Sequence, residues 1–237
     1  MIVPTKDRQQ LIRVALEALR VRSDQVIEIR APYVPQKYGR PSVVAGWFDD
    51  AEKAIAAACQ LEDEGAEGVY VILNELDDGV LCWGHNRLIR NPRHTAADKH
   101  VVRRRWLLID VDPDRLPDIS STNAELERAK HKALAVVDWL TTRLGTKAEI
   151  YAASGNGYHA LWSLDLPNND RSAALVNSLL GDAASKFSDR FVKVDKSVGN
   201  AARIVKLYGT LARKGDEVAR LGRIHRRSQL LREGFEP

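Results

Sequence analysis

A short apolar strand carrying two carboxylates on one face constrains this chain more than any other feature. Trp106–Asp112 reads Trp-Leu-Leu-Ile-Asp-Val-Asp. In extended backbone, successive side chains point to opposite faces. Leu107, Ile109 and Val111 therefore share one face, and Trp106, Leu108, Asp110 and Asp112 share the other. Pro113 stops the ladder, so both acids project from the exit end of the strand. Half-buried anions this close repel each other unless a cation sits between them, and a divalent metal is the most economical neutraliser. The bland alternative is a solvated strand end whose acids open a turn.

The segments downstream of this strand set the fold class. Thr122 and Glu125 form a capping box, and the helix they open should end near Gly145. Ala148–Ala153 and Tyr158–Leu166 read as strands, then a helix runs from about Asp170 to Lys186, then a strand at Phe191–Val194. The order strand, helix, strand, strand, helix, strand predicts an α+β fold with an RRM-like (ferredoxin-like) sheet and helices on one face. Such a sheet leaves its other face open for the acids.

The residues before Trp106 predict a smaller α/β unit packed alongside. Leu11, Ile12, Ala15, Leu16 and Leu19 have helical spacing, and Val26–Ala31 reads as a strand followed by a loop over Ala31–Ser42. Asp49 and Glu52 resemble a capping box for a helix to about Glu64. Gly68–Leu73 and Val80–Trp83 read as strands joined by a turn at Asp78–Gly79, and His85–Arg103 as a long polar segment. The expectation is one domain over residues 1–237, with units of about 1–103 and 104–237.

Three further segments carry candidate site residues. In Phe191–Asp195, alternation puts Phe191, Lys193 and Asp195 on one face, so Asp195 can join Asp110 and Asp112. Three carboxylates suit hard, oxygen-preferring Mg²⁺ or Mn²⁺ better than zinc, and two such ions suit phosphoryl transfer. Ser154-Gly155-Asn156-Gly157-Tyr158-His159 is a turn whose glycines would let backbone N–H groups approach an anion, with Ser154, Asn156 and His159 as added donors. It matches neither a Walker loop nor a dinucleotide fingerprint, and taken alone it reads as a hairpin turn with a half-buried histidine. After Asp195 the chain is basic, with Arg203, Lys206, Arg213, Lys214, Arg220, Arg223, His225, Arg226 and Arg227. Arg203 lies among apolar residues, which fixes its direction and suits it to a triphosphate. The outlying arginines, with Arg103, Arg104 and Arg105, are candidates for a nucleic-acid backbone.

Composition narrows the setting. Formal net charge is only +4, so the placement of basic residues matters more than their number. Cys59, on an expected helix, and Cys82, in an expected strand, read as two buried thiols in a reducing compartment and are too few for a thiolate zinc site. No apolar run is long enough to span a bilayer and no signal-peptide pattern appears, so a cytoplasmic location without a membrane partner is expected.

Taken together, these segments resemble the archaeo-eukaryotic primase (AEP) superfamily, in particular the primase-polymerase catalytic domains of bacterial, phage and CRISPR-associated type. Leu107–Asp112 with Pro113 resembles the first motif, Gly157-Tyr158-His159 the second and Val192–Asp195 the third. Asn200–Ile204, Gly209-Thr210, Lys214-Gly215 and His225-Arg226 resemble the triphosphate-contacting tail, and the likeness includes Val69–Asn74 and the segment around Asp98. The resemblance implies that Asp110, Asp112 and Asp195 bind two catalytic Mg²⁺ or Mn²⁺ ions. It implies that Ser154, Gly155, Asn156, Gly157, His159, Arg203 and Lys206 hold the incoming nucleotide, assisted by Lys214, His225, Arg226 and Asn74. The implied reaction is template-directed transfer from an NTP or dNTP to a 3′-hydroxyl on single-stranded or primed DNA, including primer synthesis. A helicase or other replication or CRISPR proteins are implied partners. Many members also carry a zinc module or a helical C-terminal domain; neither is recognisable in these 237 residues, so priming has less support than polymerisation.

Two other readings use a similar sheet. A metal-dependent nuclease or rolling-circle initiator needs a His-x-His pair and a helical tyrosine, whereas His159 has no such partner and Tyr158 lies in a strand. A non-catalytic RRM-like module stacks bases on central aromatics, where this strand offers acids.

Overall fold

The structure is a computed structural model that describes residues 5–20 and 22–237. Its first part comprises α1 (Thr5–Leu19), β1 (Ile27–Val34), β2 (Ser42–Phe48), α2 (Ala51–Asp63), β3 (Tyr70–Ile72), β4 (Glu75–Leu76) and β5 (Arg87–Arg90). Then come β6 (Val101–Pro113), α3 (Asn123–Leu144), β7 (Ile150–Ala153), β8 (Tyr158–Pro167), α4 (Asp170–Phe187) and β9 (Val192–Val194). The chain continues with β10 (Ile204–Lys206), β11 (Leu211–Ala212), β12 (Arg226–Arg227) and β13 (Gln229–Leu231).

Strands β6 to β9 form an antiparallel sheet in the spatial order β9-β6-β8-β7, which is the ferredoxin-like arrangement read from the sequence. β13 extends it beyond β7, and β4 pairs with the start of β6. Leu107, Ile109 and Val111 are buried in one core with Ala133, Val136 and Leu140 of α3 and Val176, Leu180 and Ala183 of α4. The expected capping box of α3 is present: Thr122 Oγ1 accepts from the Glu125 N–H, and Glu125 Oε2 accepts from the Thr122 N–H at 2.7 Å. Gly145 closes the helix in the left-handed region, φ 70°, where a side chain would be strained.

The second sheet has the order β10-β3-β1-β2-β5, with Ile12 and Leu16 of α1 and Ile55 and Leu61 of α2 in the same core as Ile29 and Val71. Its edge strand β10 comes from late in the chain, while β4, from early in the chain, pairs in the first sheet. The two sheets thus exchange strands across the gap that holds the acids.

Several local expectations are corrected. Asp78–Trp83 is a 3-10 helix rather than a strand, because the Asp77 side chain accepts the Gly79 N–H at 2.8 Å and turns the backbone. Cys82 is therefore exposed, and only Cys59 is buried. The cap of α2 is Asp50, which accepts the N–H groups of Glu52 and Lys53; Asp49 instead bonds His85 and Asn86. The continuous apolar run of β2 offers no alternation to read, and β5 lies within the segment expected to be irregular. Among the described residues, no helix is long and apolar enough to cross a membrane.

Candidate active site

Antiparallel pairing of β6 with β8 makes Asp110 and His159 direct cross-strand partners. His159 Nε2 lies 3.4 Å from Asp110 Oδ1, and Nδ1 lies 2.9 Å from the Tyr208 hydroxyl. On the opposite edge of β6, the Asp195 N–H donates to the Asp110 carbonyl at 2.9 Å. That bond brings the acid at the end of β9 beside the strand that carries the other two. The Gly155–Gly157 turn closes over Asp112: a Cβ at position 157 would collide with Asp112 Oδ1 and the Val111 carbonyl, so glycine is required there.

The charges of this cluster are unbalanced. Burial pushes Asp112 up to about 6, reinforced by the neighbouring charge of Asp110. Burial also acts on Asp110, but His159, Arg203 and Lys214 outweigh it and hold that carboxyl below the ordinary range. Asp110 Oδ1 is nevertheless buried and accepts no hydrogen bond, an arrangement that proteins rarely leave uncompensated. Asp195 is partly engaged, with Oδ1 accepting the Ser197 N–H at 2.7 Å and Oδ2 lying 3.5 Å from Arg203 Nη2. Arg203 Nε is buried without an acceptor.

Asp110, Asp112 and Asp195 line one cavity of about 270 Å³. Arg203, Lys206, Lys214 and His159 supply cationic or donor groups in the same walls, with Ser154 and Asn156 from the turn. A second cavity of about 650 Å³ lies against it, and the two share Asp112, Arg115, Asp195 and Lys214. The three carboxylates thus meet in one place, but among the described residues no three His, Cys, Asp or Glu side chains form a ready-made metal cage. Asp195 is meanwhile engaged by Ser197 and Arg203.

No family model matches the sequence, and no curated protein matches it. Two solved structures do match in three dimensions. The AEP domain of the cyanophage S-2L primase-polymerase superposes with a TM-score of 0.51 at 13% identity, over 94% of this chain and 89% of that one. The chain has the AEP fold. The polymerase domain of Mycobacterium tuberculosis Ligase D in complex with DNA gives a TM-score of 0.49 at 17% identity, over 94% and 80% of the two chains.

Within this AEP fold, the remaining candidate residues fall in different places. The N–H groups of Asn156 and Gly157 both point at Ser154 Oγ, at 3.3 and 3.0 Å, so they are not free to receive an anion as the turn had suggested. Lys206 is buried, donates to the Leu211 carbonyl at 2.9 Å, and has its pKa brought down to about 7 by that burial. His225 and Arg226 lie outside the cavity; His225 Nε2 is 2.9 Å from the Gly215 carbonyl, and Arg226 holds the Ser121 carbonyl and Asn123 at the start of α3. Arg104 is buried and Arg105 is paired with Glu75 and Asp165, so neither is available to a nucleic-acid backbone; Arg103 pairs with Asp165.

Asn74 is also outside the cavity but bears on it. Its amide donates to the Ala201 carbonyl at 2.8 Å while its oxygen accepts the N–H groups of Arg105 and Trp106. Arg104 holds the Gly199 carbonyl at 2.8 Å, and Asp98 accepts the Ala202 N–H at 2.7 Å. Three side chains thus clamp the segment that leads from Asp195 to Arg203. Tyr208, Tyr70, Glu67 and Arg115 are site residues that the sequence did not disclose. Arg115 lies three residues after Asp112, Tyr70 within Val69–Asn74 and Tyr208 just before Gly209-Thr210, so each stood beside a motif, whereas Glu67 did not.

Proposed function

We propose that the protein is a DNA primase-polymerase, transferring nucleotides from NTPs or dNTPs to a 3′-hydroxyl as a template directs, and also joining the first two nucleotides of a primer. The observation that carries this reading is the meeting of Asp110, Asp112 and Asp195 with Arg203, His159 and Lys214 in one cavity. Acids facing cations in one small space suit a ligand that brings both negative phosphate and positive metal. The AEP fold, shared with a domain described as a primase-polymerase, supports the same reading.

The donor set fits Mg²⁺ or Mn²⁺. All three acids offer hard oxygens, and the orphaned Asp110 oxygen and the elevated Asp112 carboxyl both favour a nearby cation. An incomplete protein cage is in keeping with Mg²⁺, which is commonly held by one or two carboxylates plus substrate phosphates. Asp110, Asp112 and Asp195 would hold two ions, whose chemistry is to acidify an attacking hydroxyl and offset charge on the leaving pyrophosphate.

The chain's own groups supply the remaining steps. Arg203, half-buried with a spare Nε–H, is directed to grip phosphate oxygens, and exposed Lys214 can follow them as they move. His159 lines the cavity, fixed by Tyr208 at Nδ1 and with Nε2 3.4 Å from Asp110 Oδ1. A triphosphate in the smaller cavity would meet an acceptor strand entering from the larger one at the shared residues Asp112 and Asp195. The 3′-hydroxyl gives up its proton to solvent and its oxygen bonds to the α-phosphorus, while the α–β bridge breaks and pyrophosphate departs.

Extension of a labelled primer on a DNA template with dNTPs in Mg²⁺ or Mn²⁺ tests the proposal. The Asp110→Asn, Asp112→Asn double variant should lose roughly 10³-fold or more in rate, the upper end for removal of groups that stabilise transition-state charge. Undiminished incorporation would refute the assignment. Unprimed single-stranded template separates priming from extension: absence of a dinucleotide product would leave polymerase activity alone.

A further inference from the structure

We infer that the β1–β2 hairpin is a landing surface for single-stranded nucleic acid, stacking bases on Tyr33 and Tyr38 and drawing the strand toward the candidate active site. Tyr38 is 80% and Tyr33 57% exposed, higher values than for any other aromatic among the described residues. Exposure on this scale leaves two large π-faces open to solvent, and residues 35–41, which join the strands, are exposed throughout.

The charge around these rings has one sign. Between Glu28 and Asp49 there is no acidic residue, and the charged groups are Arg30, Lys37 and Arg40. Arg30 is committed to Glu28, whereas Lys37 lies over the Tyr38 ring, 5.5 Å from its centroid. Among the described residues, neither Lys37 nor Arg40 has an acidic partner. Aromatic faces interleaved with free cations are what a strand of unpaired bases and phosphates needs, whatever its sequence. Pro35 and Pro41 fix φ at either end of the tip, and Gly39, at φ 93°, makes its turn.

The hairpin also reaches the catalytic cavity through backbone contacts. The Tyr33 carbonyl accepts the Glu67 N–H at 3.0 Å, and the Glu67 carbonyl accepts the Arg213 N–H at 2.7 Å. Glu67 and Lys214 both line the smaller cavity. A strand lying on Tyr38, Tyr33 and the Arg213–Lys214 segment would therefore arrive where templating is required. The inference rests on nucleic acid being the substrate but not on the catalytic assignment.

The test is fluorescence anisotropy of a labelled 20-nucleotide oligothymidylate with the full chain in EDTA, without nucleotide, so that the catalytic cavity contributes no metal-dependent binding. The Tyr33→Ala, Tyr38→Ala double variant should bind at least about 25-fold more weakly, given about fivefold or more per stacked base. Tyr38→Trp should retain wild-type affinity. Lys37→Ala with Arg40→Ala should reduce the log–log salt slope by about 1.4, as for two lost phosphate contacts on a single strand. All sites are exposed, and melting temperatures should match wild type. Wild-type affinity in the double tyrosine variant, or no binding by wild type, would overturn the inference. So would dissociation of a wild-type dimer by the double variant with DNA binding intact, which would make the hairpin a protein contact. Binding that depends on the tyrosines in a protein that incorporates no nucleotide would support the hairpin and defeat the catalytic proposal alone.

Discussion

The His159 ring stands between the Tyr208 hydroxyl, 2.9 Å from Nδ1, and Asp110 Oδ1, 3.4 Å from Nε2. Burial raises the Tyr208 pKa well above its ordinary value, so the hydroxyl keeps its proton and can donate it to Nδ1. The ring proton then resides on Nε2, on the side of Asp110 Oδ1. Tyr208→Phe removes the hydroxyl that selects this tautomer. We expect kcat/KM to fall about tenfold with a stability loss near 1 kcal/mol, as for one hydrogen bond. Steady-state kinetics beside thermal melts will check this, and an unchanged kcat/KM would separate His159 orientation from catalysis.

Arg203 has one weak contact with Asp195 and an unused Nε–H. Arg203→Ala should raise the nucleotide KM by roughly tenfold or more, as for a lost charge-assisted contact, while template affinity stays near wild type. Arg203→Lys should recover only part of the loss, because a point charge cannot reproduce the guanidinium fork. Equal weakening of nucleotide and template would place Arg203 elsewhere.

Asp112 predicts a pH dependence of stability. Its carboxyl is raised from 3.8 to about 6 in the folded protein. The native state thus binds this proton more tightly, and the contribution is full below about pH 4 and lost as pH rises through 6. In EDTA at pH 8, Asp112→Asn should therefore be more stable than wild type by roughly 1–3 kcal/mol, an advantage that fades toward pH 4. Added Mg²⁺ should stabilise wild type more than the variant at pH 8. Denaturation curves at the two pH values decide the matter, and equal stability at pH 8 would contradict the burial argument.

Asn74 makes a different kind of prediction. Asn74→Ala orphans the N–H groups of Arg105 and Trp106 in the interior and frees the Ala201 carbonyl. A stability loss of about 2–4 kcal/mol is expected. Loosening of the segment before Arg203 should also raise the nucleotide KM. A raised KM with wild-type stability would instead indicate direct contact with the nucleotide.

Much of the first sheet was legible because its signals are local. Alternation in Trp106–Asp112, the Thr122–Glu125 box and Gly145 each act within a few residues, and together they dictate the βαββαβ order. The meeting of Asp110 with Asp195 came from the same order. What escaped depends on distant partners. β10 is only three residues long, and nothing in Ile204–Lys206 says that it joins β3. Arg104 and Arg105 resemble free surface cations until Gly199 and Glu75 are placed beside them. Tyr208 likewise becomes a site residue only once β8 brings His159 to it.

Asp195 stands at the end of β9 in one sheet, and Arg203 stands just before β10 in the other. The short stretch between them, held by Asn74, Arg104 and Asp98, therefore ties one sheet to the other. A polyanion that drew Arg203 toward itself would therefore pull on both layers at once. On the proposed reading, Asp98 and Arg104 would then bear on nucleotide capture from outside the cavity, through the stretch they hold.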